Sequence, residues 1–161
     1  MSARIDVNLP ALEDDERADA LRSAGVPAPR ALGVLLRRAA HAVLEREDAT
    51  ETELSITLLD DAHMRELNRD WLGKDRSTDV IAFGLGEGDA GPLGDIYIGV
   101  ERAVEQAAEA GVPVREELVR LAVHGTLHVL GYDHDEGATR QRGEMWRLQE
   151  ELVRRILGDS A

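Results

Sequence analysis

The chain has 161 residues, 43% of them hydrophobic, and its 32 acidic and 19 basic residues give a formal net charge of −13. It contains no cysteine, which excludes a disulfide framework, a thiol nucleophile and any metal site built on thiolates. The negative charge argues against broad, non-specific binding of nucleic acid, although a local basic patch is compatible with it. These totals predict one domain over residues 1–161.

The sequence predicts neither a membrane span nor a secretory signal, because no stretch approaches the roughly 18 to 20 uncharged residues that a span needs. We therefore expect a cytoplasmic protein with no membrane partner and no disulfide-linked partner. The core is expected to be aliphatic, because only five aromatic residues occur, Trp71, Phe83, Tyr97, Tyr132 and Trp146. No surface for stacking nucleobases is evident from the sequence.

Four strands are predicted by alternation of apolar and polar side chains, or by short apolar runs between turn residues. They are expected at residues 4–9, 54–58, 79–83 and 94–100. The glycine-rich segment 84–93 joins the last two strands. This segment is acidic and opens no helix, so it does not favour a nucleotide-binding loop.

About five helices are predicted by apolar residues that recur at every third or fourth position. They are expected near residues 29–47, 61–71, 101–110, 114–130 and 136–157. Asp60 or Asp61 provides an N-cap for the second of them. The acidic segment 11–26 shows no such spacing and is expected to be irregular. Together the elements predict an α+β domain with a four-stranded sheet.

The predicted helix at residues 114–130 is apolar on nearly all sides, which is typical of a central buried helix. It carries His124 and His128, and a buried imidazole without a partner costs about 1–3 kcal/mol. Residues four apart share one side of a helix, so both rings can bind one ion at about 2.0–2.1 Å. Gly131 can adopt the left-handed turn that reverses the chain and brings back His134 as a third ligand.

Three of the five histidines thus fall within a short window, which chance explains poorly. Three neutral nitrogens and no thiolate leave one position of a tetrahedral zinc ion open to water, as in catalytic sites, and predict about one zinc per chain. Asp133 and Asp135 flank His134 and could either accept an imidazole N–H or be solvated turn acids. His41 and His63 are expected to lack partners and to lie at the surface.

The histidine spacing matches the metzincin peptidase pattern His-Glu-x-x-His-x-x-Gly-x-x-His except at Gly125, which replaces the glutamate. A zinc peptidase needs that carboxylate to move a proton from the attacking water to the leaving amine, so a peptidase lacks its general base here. A glycine inside a helix costs about 1 kcal/mol against alanine. We therefore expect another backbone or a substrate to approach Gly125 closely.

Residues 124–134 read His-Gly-Thr-Leu-His-Val-Leu-Gly-Tyr-Asp-His and resemble the signature of the YbeY family, bacterial rRNA maturation factors described as zinc-dependent single-strand endoribonucleases. The similarity covers roughly Ser55 to Leu157, and the first fifty residues match only in layout. Shorter matching segments lie upstream of the signature, at Leu67-Asn68, Gly73-Lys74-Asp75, Thr78-Asp79-Val80, Phe83 and Leu93-Gly94-Asp95-Ile96.

This resemblance implies an α+β fold and a zinc ion on His124, His128 and His134. It also implies action on the 3′ end of small-subunit rRNA and a role in ribosome quality control. The implied partners are the small ribosomal subunit with its rRNA, ribosomal proteins and an assembly GTPase. Water, activated by the zinc, or the ribose 2′-OH would be the nucleophile, and no protein side chain is assigned as catalytic.

Two positions depart from the family pattern. Leu72 stands where many members carry an arginine thought to help hold or cleave RNA, and residues 81–84 read Ile-Ala-Phe-Gly in place of Leu-Ser-Phe-Pro. The first change removes a phosphate contact, and the second removes a hydroxyl group near the cleft. Both departures affect contact with RNA and neither affects the zinc ligands.

The stretch 65–76 is locally basic within an acidic chain, and its RNA-binding candidates are Arg69, Lys74 and Arg76. A helix end with solvated ion pairs explains the same residues. Two other functions stay open. One is a zinc-containing ribosome-assembly factor that binds RNA without cutting it, which Leu72 slightly favours, and the other is a zinc peptidase, which Gly125 disfavours.

Overall fold

The computed structural model describes residues 3–88, 91–132 and 139–159. Within these ranges the strands are β1 Arg4–Asn8, β2 Glu53–Leu59, β3 Val80–Glu87 and β4 Pro92–Gly99. The α-helices are α1 Asp15–Ser23, α2 Pro29–Arg46, α3 Asp61–Leu72, α4 Val100–Ala110, α5 Val114–Val129 and α6 Thr139–Asp159. None of these helices is long and apolar enough to cross a membrane. The predicted α+β fold with a four-stranded sheet is confirmed.

The strands form one mixed sheet in the order β1-β2-β4-β3. Strands β1, β2 and β4 run parallel, whereas β3 pairs antiparallel with β4 and forms one edge of the sheet. Alternate residues of the two central strands are buried, with Ile56 of β2 in register with Ile96 of β4. One face of the sheet therefore carries the apolar residues that pack against helices.

Helix α5 is the central helix, as the sequence predicts. It packs against α2, α4 and α6 and also against β3 and β4. Its apolar residues are buried, with Leu118, Val123 and Leu127 fully inaccessible to solvent. Helix α2 covers β1, and α6 lies against both α2 and α5. The polar residues of α5 are consequently held on a rigid, enclosed support.

Glycines allow α5 to approach the sheet closely. A Cβ atom at Gly125 would lie 2.7 Å from Cγ2 of Ile96, and a Cβ atom at Gly94 would lie 2.4 Å from Cγ1 of Val129. The expectation that a backbone or a substrate approaches Gly125 is therefore wrong, because its neighbour is a buried side chain of β4. This contact sets the distance between the sheet and the histidine-bearing turns of α5.

The acidic segment 11–26, expected to be irregular, is instead largely helical. A 3-10 turn covers Pro10–Leu12, and α1 follows it, so the described residues form six α-helices where the sequence predicts about five. The Asp14 side chain accepts a hydrogen bond from the Arg17 N–H at 2.9 Å and caps α1. A single buried leucine, Leu21, anchors this helix, so its apolar periodicity is too weak to recognise.

The glycine-rich segment 84–93, interpreted as a linker between strands, is mostly strand. Strand β3 continues to Glu87 and β4 begins at Pro92, with a register shift between Gly84 and Glu87. Because glycines have no side chains, the sequence shows no alternation of apolar and polar residues here. The strand forms through backbone pairing with β4. The segment opens no helix, in agreement with the rejection of a nucleotide-binding loop.

Helix α6 has the apolar face that the sequence predicts. Met145, Leu152 and Ile156 are buried, and Val153 joins them. The expected start of this helix at residues 136–138 lies outside the described residues. Through this face α6 is fixed against α5, which places its polar residues beside the histidines.

Candidate functional site

His124 and His128 lie one turn apart on the same side of α5. Their ring centroids are 5.9 Å apart, and the ring planes are inclined by 50°. Both residues are half-buried and line a cleft of about 800 Å³. Two imidazoles in this arrangement can share one metal ion. The fold therefore brings together two of the three predicted metal ligands.

The other predicted residues of this site lie outside the described residues; they are Asp133, His134 and Asp135. The chain nevertheless turns after α5 as predicted, with Gly131 at φ +103°. The Gly131 N–H donates to the His128 carbonyl at 3.0 Å, and the Tyr132 N–H donates to the Leu127 carbonyl at 3.1 Å. This is a Schellman ending, which needs the left-handed glycine. In the described part of the chain, no three histidine or acidic residues are grouped to hold a metal.

Gln149 of α6 orients the first histidine. Its buried side chain places Oε1 2.8 Å from Nδ1 of His124, so that the ring N–H donates to the amide oxygen. When Nδ1 carries the proton, Nε2 is the ring nitrogen with the lone pair, which is the form of the ring that binds a metal. Burial lowers the pKa of His124, which further favours the neutral ring.

Reasoning from the sequence missed Gln149. The available signal is its position, four residues after Met145 and three before Leu152, on the face of α6 that is otherwise apolar. A polar side chain at such a buried position needs a partner. The partner, His124, lies on another helix, and only the packing of α6 against α5 identifies it.

A charge network continues from Gln149 along the interface between α5 and α6. Its Nε2 donates to Glu150 at 3.2 Å, and Glu150 accepts two hydrogen bonds from Arg120 at 2.8 and 2.9 Å. Arg120 also donates to Glu117 at 2.9 Å and to Glu116 at 3.0 Å. The hydrogen bond from Arg120 lowers the pKa of Glu150. In turn, the hydrogen bonds to the three carboxylates raise the pKa of Arg120, and the largest contribution comes from Glu150.

The cleft is bounded by α5, by edge strand β3 and by α6. At the start of β3, the Asp79 carboxylate accepts hydrogen bonds from the Val80 N–H at 2.8 Å and from Gln106 at 3.2 Å. Leu72, the last residue of α3, also lines the cleft and is 49% exposed. The position at which the family pattern has an arginine therefore borders the cleft that holds the histidine pair and is not part of the core.

Part of the predicted basic stretch is occupied by local ion pairs. Nε of Arg69 lies 3.2 Å from Oδ1 of Asp70, and Arg65 donates to both carboxylate oxygens of Asp75 at 2.8 and 3.1 Å. These groups are exposed, so such pairs contribute little to stability. For these two arginines the interpretation as solvated ion pairs at a helix end fits the geometry.

Lys74 and Arg76 differ, because within the described ranges their exposed side chains form no ion pair. The buried residue Asn68 holds the loop that carries them. Its side-chain Nδ2 donates to the backbone carbonyl of Arg76 at 2.9 Å, and its backbone carbonyl accepts from the Lys74 N–H at 3.2 Å. Arg76 also lines a groove that shares Asp79 with the histidine cleft. Of the three RNA-binding candidates, Arg76 is thus exposed beside the cleft, and Lys74 is exposed on the same loop.

The remaining histidines lie at the surface, as expected. The His41 side chain is 47% exposed and lies 3.8 Å from Glu45, and the His63 side chain is 66% exposed. The expectation that they lack partners is wrong, because Nδ1 of His63 lies 2.8 Å from a carboxylate oxygen of Asp60 and His41 lies beside Glu45 on the next turn of α2. Neither of these histidines lines the cleft of His124 and His128.

Comparison with known proteins supports the resemblance seen in the sequence. The sequence model of the family described as endoribonuclease YbeY matches residues 25–157, so the match begins well before Ser55. The proteins named endoribonuclease YbeY from Persephonella marina and Desulfitobacterium hafniense are 42% and 46% identical over 125 and 136 residues. The alignments cover 75% and 78% of this chain and 81% and 85% of those proteins.

A solved structure is also similar, the solution structure of TM1509 from Thermotoga maritima. It superimposes with a TM-score of 0.61 at 26% sequence identity. The superposition covers 98% of this chain and 90% of that chain. The similarity therefore extends over all the helices and strands that enclose the cleft.

Proposed function

The chain belongs to the YbeY family of endoribonucleases, and on that premise we propose that it is a zinc-dependent endoribonuclease that cuts single-stranded RNA in the cytoplasm. Its proposed role is maturation of the 3′ end of small-subunit rRNA and ribosome quality control. The proposed partners are the small ribosomal subunit, ribosomal proteins and an assembly GTPase. The observation that carries the proposal is the histidine pair of α5, lying in a cleft with one ring oriented by Gln149.

The donor set fits a zinc ion. His124 and His128 would supply two nitrogen ligands from one side of α5, and His134 would complete a set of three. Asp133 and Asp135 are proposed as acceptors for the N–H groups of these rings. When bound, zinc supplies a Lewis acid that polarises a phosphate oxygen of the scissile linkage.

The chain's own residues provide orientation and substrate binding. Gln149 fixes the His124 tautomer, and Arg120 holds Gln149 in place through Glu150. We assign Arg69, Lys74 and Arg76 to the phosphates of the RNA strand outside the cleft, where cations strengthen binding without reading sequence. Of these three, we expect Lys74 and Arg76 to contribute most to RNA binding, because Arg69 is paired with Asp70 whereas these two side chains form no ion pair within the described ranges.

Zinc content and RNA cleavage of one pair of variants test the proposal. We expect about one zinc per purified chain, and cleavage of a single-stranded RNA with the sequence of the small-subunit rRNA 3′ end. His128→Ala should lose zinc, stability and cleavage. His41→Ala, which removes an exposed histidine outside the cleft, should keep all three. A zinc-free wild-type protein, or equal cleavage by His128→Ala, would contradict the proposal.

The products of the same reaction identify the nucleophile. Internal attack by the ribose 2′-OH leaves a cyclic phosphate end, whereas attack by water leaves a linear phosphate and a hydroxyl group. Mass spectrometry of the fragments, with and without added zinc, separates these routes. Duplex RNA of the same sequence serves as the control for strand selectivity.

A zinc-containing assembly factor that binds RNA without cutting it is the second candidate. Leu72 favours it, because an apolar side chain lines the cleft where the family pattern has an arginine. Zinc binding and RNA binding with no cleavage above the His128→Ala background would identify this function.

A zinc peptidase is disfavoured on two grounds. Gly125 removes the general base, and any side chain at this position would meet Ile96 in the core. Casein should therefore remain uncut with zinc present. Proteolysis that disappears in His124→Ala would reverse this ranking.

A further inference from the structure

A second concave surface of about 600 Å³ lies beside edge strand β1, whereas the cleft of the histidines lies beside edge strand β3. Four exposed arginines line this surface, and we call it the arginine groove. They are Arg37, Arg38 and Arg46 of α2 and Arg155 of α6. Among its described lining residues only Glu45 is acidic, whereas the whole chain has 32 acidic and 19 basic residues. The groove therefore has the opposite charge to the molecule as a whole.

The packing of two helices brings these arginines together. In α2, the buried residues Leu36, Ala40 and Leu44 recur at every fourth position, so the three arginines project from the side that remains in solvent. In α6, the buried Ile156 also lines the groove and fixes the position of its neighbour Arg155. Because α2 packs against α6, the charges of both helices meet at one surface.

Most of this positive charge is not neutralised by the chain itself. Within the described ranges, Arg37, Arg46 and Arg155 form no ion pair. The carboxylate of Glu45 lies 3.8 Å from Nδ1 of His41, so we assign neither of these two side chains to a ligand. Three guanidinium groups are therefore available to an anion from outside the chain, and the geometry of guanidinium matches that of phosphate.

One contact of Arg37 argues against a peptide strand as the occupant of the groove. Its Nε donates to the backbone carbonyl of Ile5, in edge strand β1, at 3.2 Å. A peptide that extended the sheet at β1 would pair with such backbone groups. It would first have to displace Arg37 from this carbonyl, whereas a phosphate binds the guanidinium through its remaining N–H groups.

The cleft differs from the arginine groove in its charge. Among the described lining residues of the cleft, the carboxylates of Asp79, Glu117 and Glu150 outnumber the single guanidinium of Arg120. Arg120 is already bonded to two of these carboxylates. The side chains of the cleft therefore attract phosphates weakly, and an RNA substrate needs contacts elsewhere on the protein to be held there.

Helix α6 connects the two surfaces. It contributes Glu150 to the cleft and Arg155 to the arginine groove, and these residues stand about 8 Å apart along the helix axis. The packing of α6 against α2 and α5 fixes this spacing. A long polyanion bound in the groove is thus kept near the cleft, which raises the effective concentration of its neighbouring segments there.

We propose that the arginine groove binds the phosphate backbone of RNA at a distance from the bond that is cut. The inference rests on the proposed function for the identity of its ligand. Guanidinium groups form charge-assisted hydrogen bonds with phosphates and do not read the bases, so this binding is independent of sequence. The groove consequently favours a long RNA over a short oligonucleotide that reaches the cleft alone.

Binding of a strand without bases tests the groove directly. The probe is a fluorescently labelled abasic strand of about thirty deoxyribose phosphates, which offers phosphates but neither bases nor a 2′-OH. The test variant is Arg46→Gln/Arg155→Gln. The control variant, Arg22→Gln/Arg30→Gln, removes the same charge at two exposed arginines that line neither the groove nor the cleft. Fluorescence anisotropy over a range of sodium chloride concentrations measures Kd and its salt dependence.

We expect the test variant to bind the abasic strand about tenfold more weakly than the parent, and the control variant to bind like the parent. The slope of log Kd against log salt should be shallower by about 1.4 in the test variant, because each lost phosphate contact contributes about 0.7. In cleavage assays, the KM of the test variant should rise for an RNA of about thirty nucleotides but not for one of about five, with kcat unchanged. Circular dichroism verifies that each variant is folded.

Equal affinity of the test and control variants for the abasic strand would overturn the proposal. So would binding of polyglutamate that the test variant loses while it keeps its affinity for the abasic strand, because the groove would then serve an acidic protein. Binding of the abasic strand through the groove in a protein that cuts no RNA would refute the proposed function alone. Cleavage of the long RNA with an unchanged KM in the test variant would refute this inference alone.

Discussion

At the scale of single residues, Leu72 has the most direct consequence for substrate binding. Its side chain is not part of the buried core. It is 49% exposed and lines the cleft of His124 and His128. An arginine at this position would therefore reach solvent and a bound strand without burying its charge. The sequence left open whether Leu72 packs in the core, and the structure excludes that alternative.

We predict that Leu72→Arg raises kcat/KM on single-stranded RNA by roughly tenfold, about 1.4 kcal/mol, because a guanidinium adds a charge-assisted bond to phosphate. The salt dependence of binding should become steeper. Zinc content and melting temperature should not change. Leu85→Arg is the matched control, since it adds the same charge at an exposed leucine that does not line the cleft. A folded, zinc-loaded Leu72→Arg protein with parental kcat/KM would show that this position does not contact RNA.

At the scale of secondary-structure elements, two interfaces of α5 position the histidines. The interface with β4 depends on Gly125, whose missing side chain admits Ile96. The interface with α6 depends on Arg120, whose bonds to Glu150 hold the residue next to Gln149. The first interface sets how close the helix comes to the sheet, and the second sets the orientation of one ring.

Gly125→Ala should lower the free energy of unfolding by about 1–3 kcal/mol, although alanine is the better helix former, because the new Cβ would lie 2.7 Å from Ile96. Gly33→Ala in α2 is the control, since its Cβ would have its nearest neighbour at 3.7 Å, an Arg37 side-chain nitrogen. That variant should be stabilised by up to about 1 kcal/mol. Urea denaturation of both variants measures the difference. Stabilisation by Gly125→Ala would show that the core at Ile96 accommodates the methyl group.

Glu150→Gln should lower the free energy of unfolding at pH 7 by about 1–2 kcal/mol, because it removes a partly buried bond to Arg120. The folded state holds the Glu150 pKa below its ordinary value of 4.5. The stability from this carboxylate is therefore complete above pH 4.5 and is lost as the pH falls through the folded-state pKa.

The difference between parent and Glu150→Gln should accordingly shrink in acid, which denaturation curves from pH 7 down to pH 3 can follow. Glu151→Gln, the same change at the exposed neighbour, should be nearly neutral throughout this range. A difference that stays constant from pH 7 to pH 3 would show that the carboxylate charge does not contribute.

At the scale of the whole molecule, the net charge of −13 causes mutual repulsion that opposes folding. Sodium chloride screens this repulsion, with a Debye length of about 8 Å at physiological ionic strength. We predict that raising sodium chloride from low to physiological concentration increases the free energy of unfolding by about 1 kcal/mol, roughly 2–4 °C in Tm. Scanning calorimetry without zinc measures this change. A Tm that falls with salt would show that attractive ion pairs dominate the surface.

The fold was predictable where one face of an element is strongly apolar. The α5 pattern identified the central helix, and the alternation of β2 identified a buried strand, because burial imposes a period on the side chains. Helix α1 and the distal half of β3 were missed for the converse reason. Leu21 is a single anchor, and the glycines of segment 84–88 have no side chains, so tertiary contacts and backbone pairing decide their structure.

The sequence by itself determined the histidine spacing, the left-handed turn at Gly131 and the family, because local geometry and residue order express these directly. Only the tertiary structure decided that Gln149 orients His124 and that Leu72 and Trp146 line the cleft. These contacts join residues far apart in the chain, on helices and a strand that meet only when α5 is buried between them. The physical reason is that packing of apolar faces sets which polar side chains become neighbours, and that packing is a property of the folded chain.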